Sequence, residues 1–520
     1  MTQDEAFDAG AVRAWGTLAC EALAGARDRI DAANVFPVAD SDTGTNLWLT
    51  ISAGAAAIDP SEEDAAGALE DFAQGALLAA RGNSGIIASE LLRGMAVSLL
   101  AEPASVPAGL RLAHALRSGA DAARAAVARP APGTMLTAAS GAATAAADAA
   151  ALTPHDVVRV AEAALGGACE AVLGSPAQLD VLARHGVLDA GAYGLTLVIG
   201  ALRTAVAPTS GGERAAVGLP AVLAVDGGPV SQAAQAPAHD HGPSEDPDGE
   251  FEVMYVVETA PDGGADVART LRAGLEDIGA SVVVVGGDGL WQAHVHTDDP
   301  AAALAAADGA ALRQVRVRHL VARSVHAEDR PAAGVVAGVR SPALLAEAAR
   351  SGAVVLACTD RSWAPDELRR VLEDAASDRV IAILRQDSTA TLRRTLHRLP
   401  GLAVDTIVVP DDLHVVAALA AREEALGHGV DDAETLAAMR GAVDALTWGR
   451  ADAATAELLV DDLVARAPGR EVGLAMLLVG TDVPQPTVAA TAQRLAARLG
   501  AEVVTLASGH ADAVVRAGVL

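Results

Sequence analysis

NVFPVADSDTGTN, residues 34–46, decides how the first third of this 520-residue chain is read. Two aspartates, Asp40 and Asp42, stand two positions apart among small and hydroxylated residues, with Asn34 six positions ahead of the first. A helix-like run, LWLTISAGAAA, follows at once. Aspartates at i and i+2 in a turn can converge on one point, and hard cations such as Mg²⁺ take such oxygen ligands, often together with substrate phosphates. The competing reading is that Asp42 or Thr45 only N-caps the next helix. Local sequence leaves both open.

Outward from that stretch, residues 1 to about 204 read as predominantly helical. Apolar residues recur at helical spacing in AVRAWGTLACEALAGARDRIDAA, GALEDFAQGALLAARG, GIIASELLRGMAVSLL and AGLRLAHALRSGADAARAAVA. The unusual residues sit at the junctions: ARGNSG (80–85), RPAPGTM (129–135) and HGVLDAGAYG (185–194). Gly82 and Gly85 let backbone approach a ligand, with Asn83 and Ser84 where a helix begins. Gly133, Thr134 and Met135 follow a proline-rich turn, and Asp189 and Gly191 open a further helix. Each alone reads as an ordinary turn or cap. Four in one helical domain suggest a site assembled from helix ends, whose N–H groups and partial positive charge favour anions.

The composition narrows the chemistry. A net charge of −29 argues against a nucleic-acid surface. The chain contains no lysine, which excludes a Walker A loop and the protein-kinase lysine. Any phosphate handling must rest on metal ions, backbone amides, hydroxyls and arginine. Half of the residues are hydrophobic but mostly Ala, Val and Leu, so the expected cores are several, filled with small side chains and helices at close axes. No stretch of about 20 apolar residues lacks charges, so a membrane span is not expected. The acidic N-terminus lacks signal-peptide features, and Cys20, Cys169 and Cys358 are too scattered for a disulfide framework. The expected location is cytoplasmic.

Beyond the helical domain, residues 205–250 are rich in Pro, Gly, Ser and Asp and read as a flexible linker that includes His239 and His241. Residues 251–329 follow a β-α-β-β-α-β rhythm, the split βαβ or ferredoxin-like pattern. In its HVHTDDP segment, His294 and His296 share one strand face and offer a start for Zn²⁺, which usually takes four ligands. The alternative is local packing, with Thr297 or Asp298 capping a helix near Pro300. Residues 333–520 alternate strand-like and helical runs, which predicts a largely parallel α/β sheet. Asp387, Ser388, Asp411, Asp412 and His414 follow strand-like runs there and read as surface turns.

The order NVFPVADSDTGTN, ARGNSGIIASELLRGMA, GTMLT, GVLDAGAYGL resembles the nucleotide-binding domain of the dihydroxyacetone kinase family. The form NVFPV-x-D-x-DTGTN is similar to that of the catalytic subunit of bacterial fatty acid kinase. HVHTDDP resembles that protein's middle domain, and the last part looks like its DegV-type domain. The resemblance implies a helical barrel over 1–204 with ATP at one end and Asp40 and Asp42 holding two Mg²⁺ ions, Asn34 lying near a further metal position. It further implies Thr45, Asn46, Gly82, Asn83, Ser84 and Gly85 beside the phosphates. Gly133, Thr134 and Met135 would line the adenine side, and Asp189 and Gly191 would close the nucleotide end. Ser41 stands where glycine is usual, and serine fits there if φ need not be positive. In the middle domain the family's ligand cysteine is replaced near Glu252, leaving Glu252, His294 and His296 for zinc. The implied activity is ATP-dependent phosphorylation of a fatty acid presented by a DegV-type fatty-acid-binding partner, in phospholipid metabolism, with a homodimer among the expected assemblies. Alternatives are a kinase of a small hydroxylated metabolite and a nucleotide-binding regulator without turnover.

Overall fold

The computed structural model describes residues 7–36, 41–207, 249–260, 264–287, 289–320, 333–357, 363–375, 377–399, 401–466 and 472–520. Asp40, Cys358 and nearly all of the expected linker at 205–250 lie outside them. The chain divides into two compact units.

The first unit begins with helices α1 (Ala9–Ala32), α2 (Thr43–Ala57), α3 (Ala65–Ala79), α4 (Gly82–Ala101) and α5 (Ala108–Ala126). They are followed by α6 (Met135–Leu152), α7 (Val157–Leu173), α8 (Asp180–His185) and α9 (Ala190–Val206). From α1 to α7 each helix packs on its successor, and α9 returns to both α7 and α1. Short connections between neighbours make this an up-and-down ring. Small residues set its tightness. A Cβ on Gly94 of α4 would stand 2.6 Å from the Ser118 carbonyl of α5, and one on Gly141 of α6 would stand 2.7 Å from the Gly167 carbonyl of α7. Trp15 supplies much of the bulk that the Ala-rich helices lack. It is buried, donates its indole N–H to the Val198 carbonyl at 2.8 Å, and meets Phe72 edge-on at 5.6 Å. Among the described helices only α4 is long and apolar enough to cross a membrane, and most of it is buried inside this ring. The unit also takes in α10 (Gly264–Glu276) and most of strands β2 (Gly279–Gly287) and β3 (Leu290–Thr297).

The second unit contains β1 (Phe251–Glu258), α11 (Pro300–Ala305), β4 (Ala311–His319), β5 (Ala333–Val339), β6 (Val354–Ala357), β7 (Arg379–Arg385) and β8 (Ala403–Val409). In its main sheet the order runs β1-β4-β6-β5-β7-β8. β1, β4 and β6 pair antiparallel, whereas β6, β5, β7 and β8 are parallel. The chain then forms α15 (Asp412–Gly427), following α12 (Leu345–Arg350), α13 (Pro365–Asp374) and α14 (Thr389–Leu396), and goes on to α16 (Asp432–Ala445).

Here the sequence expectation needs correction. The last strands do not extend the parallel sheet. They form a second one, ordered β11-β10-β12-β9, with α17 (Ala456–Arg466) and α18 (Gln485–Leu499) between its strands. β10 (Leu474–Val479) and β11 (Glu502–Ala507) are parallel, while β12 (Val514–Val519) runs antiparallel to both β10 and β9 (Thr447–Asp452). β9 escapes the sequence reading because TWGRAD is a half-exposed edge strand without a β-branched run. The C-terminal acidic residues are also not all surface turns. Asp411 N-caps α15, Asp412 accepts from the Arg340 and Ser341 N–H groups, and buried His414 meets Trp448 at 5.4 Å. α11 starts at Pro300 as expected, but its cap is Asp299, which accepts from the Ala302 N–H at 3.0 Å.

Candidate functional site

At the start of α2 the capping carboxylate is not Asp42. Asp42 is the residue before the helix, yet its side chain makes no capping hydrogen bond. The capping falls instead to Asp31, in the last turn of α1. Its Oδ1 accepts from the N–H groups of Gly44 at 2.6 Å and Thr45 at 3.0 Å, and its Oδ2 accepts from the Thr45 hydroxyl at 2.7 Å. Burial pushes the Asp31 carboxyl above its ordinary value, opposed by those hydrogen bonds and reinforced by the nearby Asp42 charge. Gly44 makes the arrangement possible: a Cβ there would stand 2.4 Å from the Arg27 carbonyl. The N–H groups of Gly44 and Thr45, and the Thr45 hydroxyl, are therefore committed within the protein.

Asp42 is only 3% exposed. Asn34 is buried in the same turn region, its N–H on the Asp31 carbonyl at 3.2 Å. Ser41, just before Asp42, has φ 53°. Position 41 thus does require the left-handed region, which costs a serine about 1 kcal/mol relative to glycine.

The GNSG turn docks onto α2. Thr50 Oγ1 accepts the Arg81 N–H at 3.2 Å, and a Cβ on Gly85 would meet that oxygen at 2.4 Å. Gly82, at φ 56°, leaves room for the amide of buried Asn46, which lies 2.4 Å from where a Cβ would be. Ser84 Oγ stands 3.5 Å from Thr43 Oγ1. The structure thus brings Asp42, Thr43 and Asn46 together with Gly82, Ser84 and Gly85, and Asn83 lies in the first turn of α4. The Gly44 and Thr45 N–H groups are taken by Asp31, and the start of α4, with Gly82 and Ser84 against Asn46 and Thr43, is the helix end beside them.

The other two junctions form a second pair. Gly133, at φ 76°, donates its N–H to the Thr137 hydroxyl, and the Thr134 hydroxyl donates to the Ala131 carbonyl. Met135, buried, opens α6 against Gly191, where a Cβ would touch the Met135 Cβ at 3.3 Å. Asp189 joins the two helices. It caps α9 through the Ala192 N–H at 2.7 Å and also takes backbone hydrogen bonds from Met135 and Gly191.

Burial outweighs those bonds and pushes the Asp189 carboxyl up to about 7. A carboxyl raised in the folded state contributes stability that is full below its unfolded value, near 4, and is lost as pH rises through 7. At pH 8 the wild type carries a cost of up to ~4 kcal/mol that Asp189→Asn avoids. The melting temperature of Asp189→Asn relative to wild type is therefore expected to climb by roughly 5 °C or more between pH 4 and pH 8. A pH-independent difference in scanning calorimetry would refute that assignment.

Sequence reasoning missed Asp31. The signal for Asp31 was its place in the last turn of a helix, where the dipole disfavours an acid unless another partner holds it. In the middle segment, ligand-type atoms of Glu252, His294 and His296 lie within 4.8 Å of one another, all three residues being buried. The donor set suits zinc by type. The Glu252 carboxylate, however, is already in a buried ion pair with Arg318.

Comparison with known proteins accords with this geometry. Residues 37–204 match the DAK2 domain, and residues 248–324 match the FakA-like middle domain of fatty acid kinase. The chain is 32% identical over 278 residues to an uncharacterised protein of Staphylococcus haemolyticus, and 30% identical over 272 residues to protein YloV of Bacillus subtilis. Each match covers 52% of this chain and 48% of the relative, so the chain spans about half the length of the curated relatives it matches. Among solved structures, a fatty-acid-binding DegV family protein from Thermus thermophilus is 15% identical, with a TM-score of 0.30 over 36% of this chain and 99% of that one. The dihydroxyacetone kinase of C. freundii is 14% identical, with a TM-score of 0.31 over 40% of this chain and 50% of that one.

Proposed function

We propose that this chain, which carries a DAK2 domain and a FakA-like middle domain, is an ATP-dependent kinase acting in the cytoplasm. It phosphorylates a fatty acid carboxylate presented by a separate DegV-type fatty-acid-binding protein, giving an acyl phosphate for phospholipid metabolism. The observation that carries the reading is the division of labour at α2. Asp31 caps the helix, so the buried Asp42 carboxylate is not spent on capping and stands beside Thr43, Asn46 and the GNSG turn.

The donors fit Mg²⁺, since Asp40, Asp42 and Asn34 offer only oxygen at their acceptor ends. Held by those oxygens, the metal would supply the positive charge that offsets the ATP phosphates, a task for which the chain has no lysine. The protein's own part is positioning. The first turn of α4 presents N–H groups and the Ser84 hydroxyl to the phosphates, and Met135 with Gly191 shapes the apolar side at the α6 and α9 starts. A carboxylate acceptor is ionised at neutral pH and needs no general base. Zinc at Glu252, His294 and His296 is proposed only as a structural ion, because Arg318 would have to release a carboxylate oxygen to it.

The test is ATP consumption by the full chain with oleate, with and without a DegV-type fatty-acid-binding protein. Turnover that requires both is expected. Turnover on a triose with no partner would transfer the assignment to a metabolite kinase, and nucleotide binding without turnover under either condition would make the chain a regulator.

A further inference from the structure

A residue of β3 reaches into the helical part of the first unit. Gln292 is 3% exposed, and its Nε2 donates to the Ala80 carbonyl at 3.1 Å, 212 residues away in sequence. Ala80 is the C-cap of α3, two positions before Gly82. The same short segment also meets α2, where Thr50 Oγ1 accepts the Arg81 N–H and the Asn46 amide lies against Gly82. The strand pair has a second anchor. Val283 of β2 forms an antiparallel bridge with Val127, the residue that ends α5.

We propose that Gln292 is a positioning residue for the nucleotide site: it fixes the turn at 80–85 through the Ala80 carbonyl. The inference rests on the nucleotide reading given above. A carbonyl can be held only by a donor, and Gln292 supplies a neutral one on a stiff, buried strand. Its Oε1 is buried with no hydrogen-bond partner among the described residues, so the donation to Ala80 is the side-chain hydrogen bond that Gln292 makes there. With that bond gone, the hold of β3 on the Ala80 carbonyl is lost. Gly82 is the one residue there at positive φ, where the backbone is most free to swing. Asn83 and Ser84 follow directly, so their alignment with Thr43 depends on a strand that belongs to the middle-domain sequence. The phosphate turn is thereby completed by residues outside the helical ring.

The experiment uses the full chain and needs no acceptor. Affinity for Mg²⁺ with a non-hydrolysable ATP analogue is measured by titration calorimetry, and the melting temperature by scanning calorimetry. The proteins compared are wild type, Gln292→Leu, Gln292→Glu, Gln292→Lys and Asn46→Ala. Leu and Glu remove the donor, and both are expected to weaken nucleotide binding roughly five- to tenfold, the worth of one hydrogen bond. The melting temperature of Gln292→Leu is expected to move by no more than about 3 °C, well under the loss that a core disruption brings, whereas Gln292→Glu, which buries an unpaired acid, is expected to fall further. Lys restores a donor but buries its charge, so affinity is expected to recover toward wild type while the melting temperature falls. Unchanged affinity in the Leu and Glu variants, with Asn46→Ala weakened, would overturn the role of Gln292 and leave the nucleotide reading standing. Affinity lost in step with melting temperature in all three Gln292 variants would reduce the contact to a structural one. No nucleotide binding by wild type would remove both readings together.

Discussion

Asp42→Ala is expected to lose ATP turnover by on the order of 10³-fold while melting at, or slightly above, the wild-type temperature. The magnitude is that of removing one preorganised group that faces developing charge in a water-poor site. The stability side follows from the hydrogen bonds. Asp42 makes no capping bond to α2, so the helix loses none of its ends when the carboxylate goes. A buried acid held near the Asp31 carboxylate is a local cost that function imposes, and its removal relieves like-charge repulsion. The discriminating measurement is the pair: steady-state ATP consumption and calorimetric melting on one preparation. A variant that keeps its turnover would end the metal-ligand assignment. One that loses several degrees of melting temperature would return Asp42 to the role of a structural cap.

Much of this was legible in the sequence, and the reasons for success and failure are physical. Helical periodicity located the ring because its helices bury one stripe over three or more turns, where a spacing of 3.6 is unmistakable. Glycines at 82, 133 and 191 marked real demands, two of them positive φ and one a close approach of α6 and α9. The split of the C-terminal strands into two sheets was not legible. Strand pairing is set by partners far away in sequence, and nothing in TWGRAD or VVRAGV states which edge they join. At the candidate site, pattern reading named residues at the helix starts and missed those that hold them. Asp31 lies thirteen residues from Gly44, and Gln292 lies 212 from Ala80. Such supports carry no local motif, since their geometry exists only once α1 meets α2 or β3 meets the α3–α4 turn.

Asp31→Ala is the complement of the first experiment and carries the largest expected loss of stability. The Gly44 and Thr45 N–H groups and the Thr45 hydroxyl lose their acceptor at once. A lost N-cap costs about 1 kcal/mol, and leaving two partly buried donors unmet adds a similar amount or more. The sum, about 2–3 kcal/mol, corresponds to a fall of roughly 5–10 °C for a unit of this size. Asp31→Asn keeps one amide oxygen for the two N–H groups but turns a donor toward the Thr45 hydroxyl, so it is expected to lose about half as much. Turnover should also fall, because the first turn of α2 carries Thr43 and follows directly on Asp42. The loss should be partial and restored by lower temperature, unlike that of Asp42→Ala. If instead Asp31→Ala melts with wild type while Asp42→Ala does not, the two aspartates have exchanged roles, and the carboxylate assigned to the metal is the one that holds the helix.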